Sequence, residues 1–143
     1  MKKLLLWLLA LVAFACFTCC GASNGGAKTV ASVAKKENTV AITVEELEGA
    51  CTLFELMKDL QEDGKFSFTA DLTGMIQSID GKANDAAANA YWMLYTSDGE
   101  MSNTEWGTVE YGGATYGSAI LGANALEVVA GATYVWSYQS FTA

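Results

Sequence analysis

The chain has 143 residues, enough for one domain of ordinary size. Acidic residues outnumber basic ones sixteen to eight, there is no His and no Pro, and every basic residue is Lys. Such a chain holds no Ser-His or Cys-His catalytic pair and no His metal ligand, no Arg to read phosphate or guanine, and a formal charge of −8 that repels nucleic acid.

Met1-Lys2-Lys3 opens the chain and Leu4 to Phe14 is an unbroken apolar run. A bilayer-spanning helix needs about 20 such residues, so this run is too short to span and fits the h-region of a secretory signal peptide. Cys16, Cys19 and Cys20 close it. A cysteine at the end of an h-region resembles the lipid-modified cysteine of bacterial lipoproteins. Cys16 follows Ala13-Phe14-Ala15 and matches that pattern at the preceding residue, which Cys20, after Phe17-Thr18-Cys19, does not. Cys20 is nevertheless the preferred site, because Gly21-Ala22-Ser23-Asn24-Gly25-Gly26 behind it reads as a flexible tether. The resemblance implies a signal peptide over 1–20, a lipid anchor on Cys20, and an exported protein held on the outer face of the cell membrane. Cys51 is then the one other cysteine of the mature chain, so no disulfide framework is expected.

Residues 21–38 are rich in Gly, Ala, Ser and Lys, a composition expected to stay a tether. The globular domain is expected over 39–143. Thr39 to Val44 alternates with Val40, Ile42 and Val44 on one face, a strand pattern. Thr52-Leu53-Phe54-Glu55 is a capping box ahead of Leu53, Leu56, Met57 and Leu60, one apolar helical stripe. Cys51 sits where a hydrophobic staple would place a small packed residue, and Asp63-Gly64 ends the helix.

Behind the helix the period changes to two. Phe66 and Phe68 alternate with Ser67 and Thr69, and Met75 to Ile79 runs into the turn dipeptide Asp80-Gly81. Ala83 to Ala90 reads as a loop and Tyr91 to Thr96 as an aromatic strand. Ser97-Asp98-Gly99-Glu100 carries a hairpin signal. Trp106 to Gly122 is Gly-rich, with one or two short strands expected among loops, and Thr133 to Tyr138 is a closing strand. One helix near the front and strands mostly behind it predict an α+β domain, the helix on one face of a mainly antiparallel sheet.

Four segments resemble, in order, the C-terminal domain of transcobalamin and intrinsic factor and the bacterial surface domains related to it. Thr52-Leu53-Phe54-Glu55-Leu56-Met57 is similar to that family's Thr-Leu-led helix, and Gly74 to Gly81 to its Gly-x-x-Ile/Val-x-x-Ile-x-Gly segment. Tyr91-Trp92-Met93-Leu94-Tyr95 with Asp98-Gly99 resembles its Tyr-Trp-x-x-Tyr-x-x-x-Gly motif, and Ala130 to Tyr138 its closing Gly-Asp-x-x-x-Trp-x-Tyr. Asp98 stands where the family has Asn, and Ala132 where it has Asp. The resemblance implies a β-grasp-like domain of the soluble-ligand-binding kind on a cell surface. Its ligand would be cobalamin or another corrinoid, with no resident cofactor.

Three Trp and six Tyr follow residue 90. Alternation puts Trp92 and Leu94 on one face of their strand and Tyr91, Met93 and Tyr95 on the other, while Tyr134, Trp136 and Tyr138 share a face. Trp92 and Trp136 read as core or as ligand contacts. Trp106, Tyr111 and Tyr116, in the Gly-rich stretch, are the stronger ligand-contact candidates. The acidic groups Glu45, Glu46, Glu48, Asp98 and Glu100 show no pairing across a cleft of the kind a glycosidase needs. Counted from Asp98, a calcium loop would need Gly and Glu where Asn103 and Val109 stand. No catalytic or metal site is therefore expected. Two classes stay open: a surface lipoprotein that captures a small ligand beside a transporter, and an adhesion or protein-interaction module that takes no small molecule.

Overall fold

The fold is that of a computed structural model in which residues 29–142 are described. Residues 1–28 and 143 lie outside this range, and with them the expected signal peptide and the Cys20 anchor. The chain runs β1 (Thr29–Lys36), β2 (Thr39–Leu47), α1 (Leu53–Glu62), β3 (Phe68–Ala70), β4 (Ile76–Ile79), β5 (Lys82–Ala83), β6 (Ala90–Thr96), β7 (Ser102–Tyr111), β8 (Ala114–Ala119) and β9 (Thr133–Ser140). Six strands form one sheet in the order β1-β2-β9-β6-β8-β7, and β3-β4-β5 form a second, smaller one. Every described strand pair is antiparallel. With one short helix among the described residues, this is the α+β arrangement that the order of elements predicted.

The helix forms where its capping chemistry lies. The Thr52 side chain accepts from the Glu55 N–H at 3.3 Å, and the Glu55 carboxylate accepts from the Thr52 N–H at 2.8 Å. Leu53, Leu56, Met57 and Leu60 are all buried. They meet Val40, Ile42 and Val44 of β2, Trp92 and Leu94 of β6, and Tyr134 and Trp136 of β9. Phe66, Phe68, Ile76 and Ile79 bring the small sheet onto the same core. Ala41, Tyr95 and Val135 begin a second cluster, joined by Met93, Val109, Tyr111 and Tyr116. Cys51 is half-buried against the main core, and burial pushes its thiol up from the ordinary range. That keeps it a packed, protonated thiol rather than a nucleophile.

Three expectations are corrected. The sheet begins at Thr29, so the tether read over 21–38 is strand in its second half. Ala31 and Val33 alternate inward against the core, and their strand pairs with β2 from Thr29↔Leu47 to Lys36↔Thr39. Small residues suffice there because an edge strand buries only one face and draws much of its order from ladder hydrogen bonds. Second, Ser97–Glu100 turns the chain but does not join neighbours, because β8 lies between β6 and β7. Asp98 closes that turn locally, its carboxylate accepting from the Glu100 N–H at 3.0 Å. Turn residues specify a reversal, not which strands pair across it. Third, the Gly-rich stretch, expected to hold one or two short strands among loops, is mostly a hairpin of the two strands β7 and β8. Gly112 and Gly113 turn it at φ 59° and 81°, the pair of positive angles that a type I′ turn demands.

Candidate functional site

A cleft of about 660 Å³ opens at the side of the large sheet. Its floor is β6 from Tyr91 to Leu94, together with Trp136 of β9. One wall is the 73–76 segment leading into β4, and the other is Ser118 to Asn124, which follows from β8. Trp106 stands at the rim, 65% exposed. The opening exists because β8 pairs with β6 only at Tyr95↔Ser118 and Thr96↔Gly117. Asp85 bridges Ala90 on the side of β6 that faces away from β9, but from Tyr91 to Leu94 no strand among the described residues pairs with that side.

Each wall has an identifiable cause. The Leu53 N–H donates to the Leu126 carbonyl at 2.8 Å, and the Phe54 N–H to the Ala123 carbonyl at 3.0 Å. These are first-turn donors without a partner inside the helix, so satisfying them pins the 121–126 loop against α1. Asn124 then donates from Nδ2 to the Thr73 carbonyl at 2.8 Å and ties the two walls together. Gly74 lies at φ 84°, and a Cβ there would stand 2.9 Å from the Cβ of Asn124. Only glycine allows both that backbone angle and that approach. At the far end Asn84 donates to the Ile76 carbonyl and accepts from the Trp92 N–H, both at 2.9 Å, and so bridges the small sheet to β6.

Trp106 is placed by a large irregularity in β7. Asn103 pairs with Ser118, and the next pair is Thr108 with Gly117, so residues 104–107 arch out opposite no partner. Asn103 Oδ1 accepts from the Glu105 N–H at 2.8 Å and starts the arch, and Gly107 at φ 129° ends it. Gly117 lies beneath, where a Cβ would come within 3.2 Å of Ser102, Asn103 and Thr104. Such a bulge re-aims a side chain that regular pairing would lay flat on the sheet.

Asp71 orders the 73–76 lip. One of its oxygens accepts from the Thr73 N–H at 2.8 Å, the Thr73 hydroxyl at 2.6 Å and the Met75 N–H at 3.1 Å. The donors of Thr73 hold this carboxyl below its ordinary range. A depressed folded value means that the charged form steadies the lip above the unfolded value of about 3.9, and that the effect is lost as pH falls through the folded value. The amide signals of Thr73 and Met75 are therefore expected to stay fixed from about pH 7 to 5 and to move together below about pH 4. An NMR titration reads this directly, and signals that stay fixed down to about pH 2 would remove Asp71 from the role.

Of the five residues singled out as ligand contacts, Trp92, Trp106 and Trp136 line the cleft. Tyr111 and Tyr116 do not. Their rings pack 6.3 Å apart in the second cluster with Ala41, Tyr95 and Val135. Regular strand alternation turns them there, where a loop reading left their direction open. Trp92 is anchored, its Nε1 donating to the Lys82 carbonyl at 2.8 Å and its ring meeting Tyr138 edge-on at 5.4 Å. Met75, Ile120 and Leu121 also line the cleft and are exposed, which sequence reasoning missed. The signal at Met75 was the Gly74 before it, which marks a close backbone approach. Ile120 and Leu121 carry no local signal.

Among the described residues, no charged side chain lines the cleft. Among the described residues, no group of three or more Cys, Asp or Glu is placed to hold a metal ion. The arrangement suits binding of an uncharged, mainly apolar body between aromatic surfaces. Residues 50–110 match the family described as "Domain of unknown function (DUF4430)", which is related to transcobalamin-like C-terminal domains. The matched segment carries α1, the small sheet, β6 and the arch of Trp106. No curated protein and no solved structure matches the chain.

Proposed function

We propose that this is a lipid-anchored cell-surface protein whose β-grasp-like domain captures a small, uncharged ligand in the cleft, with cobalamin or another corrinoid as the ligand to test first. The observation that carries the reading is a lining that, among the described residues, has three tryptophans and no charged side chain. A volume of about 660 Å³ lies within the span of small-molecule sites, roughly 300 to 1,000 Å³. An exposed Trp at the rim of an apolar cavity marks recognition rather than packing. The family match and the transcobalamin-like motifs support the corrinoid as first choice. The chain has no His, so contact with the face or edge of a flat macrocycle is expected rather than ligation of its metal. The β-grasp-like reading rests on one helix laid across an antiparallel sheet. The Cys20 anchor would hold the cleft outside the cell, where a membrane transporter could take the ligand onward.

Calorimetric titration of the full chain in phospholipid nanodiscs with cyanocobalamin, hydroxocobalamin and cobinamide tests the ligand. Saturable heat at micromolar affinity or tighter is the expected result. Flat heat with all three removes the corrinoid. In that event, binding to surface proteins or glycans would favour the adhesion reading.

A further inference from the structure

Successive side chains of a strand point to opposite faces. On β6, Trp92 and Leu94 belong to the main core under the helix, whereas Met93 packs against the second cluster. Tyr91, Trp92, Met93 and Leu94 nevertheless all line one cleft. A cavity meets both sets only by running along the edge of the strand, where the backbone lies. That edge is the one away from β9, because β9 pairs along the other side from Ala90 to Thr96.

Backbone groups of alternate residues face this edge. Ala90 exchanges both of its bonds with Asp85, at 2.9 and 2.8 Å, and the Trp92 N–H donates to Asn84 Oδ1 at 2.9 Å. At the other end Thr96 pairs with Gly117 of β8. By the same alternation the Trp92 carbonyl and the Leu94 N–H face the cleft between these two ends. If the Leu94 N–H met β8, Leu94 would pair with Ala119, but the ladder stops at Tyr95↔Ser118. Neither group has a partner among the described residues. Asn84, Ser118 and Ala119, which bound the gap, line the same cleft. Main-chain polar groups are matched by chain, water or ligand, and here the chain supplies nothing.

We propose that the cleft takes an uncharged ligand carrying a peptide-type secondary amide unit, one residue long, that completes the open edge of β6. Its N–H donates to the Trp92 carbonyl, and its own carbonyl accepts from the Leu94 N–H. The proposal rests on the reading of the cleft as a ligand site and names the chemistry of the ligand. Strand addition of this kind draws affinity from main-chain bonds and specificity from side-chain pockets. Asn84 closes the gap at one end and β8 at the other, so a short unit fits where a strand of a second protein does not. Charged peptide termini stay out of its depth, because no charged side chain lines the cleft among the described residues to balance them.

Two probes test this: N-acetyl-leucine N-methylamide and its ester analogue, in which an oxygen replaces the leucine N–H and the rest is unchanged. The full chain, isotopically labelled and held in phospholipid nanodiscs, is titrated with each by NMR up to the solubility limit. Both probes are expected to move the Met75 methyl signal. Both should move the Leu94 amide proton downfield, since each keeps the carbonyl. The amide probe alone should move the Trp92 carbonyl carbon, and it should bind about fivefold more tightly. Equal affinities, or a Leu94 amide proton that stays fixed while Met75 responds, overturn the edge pairing and leave the cleft as a ligand site. Silence of Met75 and Trp106 toward both probes also overturns the proposal, and the corrinoid titration then decides separately whether the cleft binds a ligand.

Discussion

Tyr134→Ala is expected to lower unfolding stability by about 4 kcal/mol, a large share of the roughly 5–15 kcal/mol that holds a domain folded. Tyr134 is fully buried near the start of β9, opposite Ile42 of β2 on one side and Thr96 of β6 on the other. Its ring joins the helix to the large sheet within the main core, so truncation opens a cavity that three elements border. The hydroxyl adds a separate share. It accepts from the Val129 N–H at 2.9 Å and fixes the 128–132 loop, through which the Val44 N–H reaches the Ala132 carbonyl and the Gly131 N–H returns to the Val44 carbonyl. Burial pushes the phenol up from its ordinary range, so it stays protonated and uncharged through the neutral region. Tyr134→Phe keeps the ring and loses that acceptor, and about 1 kcal/mol is expected. Urea unfolding of the two variants separates ring from hydroxyl. A loss under about 1 kcal/mol for the alanine variant would mean that Tyr134 does not occupy the centre of the core.

The sequence revealed the elements whose chemistry is local. Thr52 and Glu55 announce the helix because a capping box is satisfied within four residues. Val40, Ile42 and Val44 announce β2 because period-two burial needs only one covered face. Gly112-Gly113 makes the β7–β8 turn, but as mere glycine content it suggested loops. What stayed hidden depends on partners far along the chain. Ala31 and Val33 are too small to advertise a strand, and only β2 beside them gives them one. The hairpin signal at Asp98-Gly99 is real chemistry, yet β8 arrives from beyond β7 in the chain to take the place that β7 would have held. The cleft is the consequence of that interposition. Its aromatic members could be suspected from composition, but their meeting point follows from where β8 stops pairing with β6.

Trp106→Ala is expected to weaken ligand binding at least about 30-fold and to leave stability within about 0.5 kcal/mol. The two halves of this expectation come from the same fact. At 65% exposure the indole contributes little to the core, so its removal opens no cavity. Yet it stands at the rim of a cavity that offers a ligand no ion pair, and there a large rigid ring supplies much of the contact area. Trp92→Ala should behave differently, since that ring is buried and its N–H bonds Lys82. Stability and affinity should fall together there. The position of Trp106 also depends on the arch over Gly117. Gly117→Val places side-chain atoms against Ser102, Asn103 and Thr104, so it should displace the arch and weaken binding with Trp106 still present. Calorimetry against the ligand found by titration, paired with urea unfolding, reads all three variants. Full affinity retained in Trp106→Ala would place the ligand elsewhere on the molecule. Loss of affinity in both Trp106→Ala and Gly117→Val, with only small changes in stability, would make the arch of β7 the means by which this fold presents an aromatic side chain to its ligand.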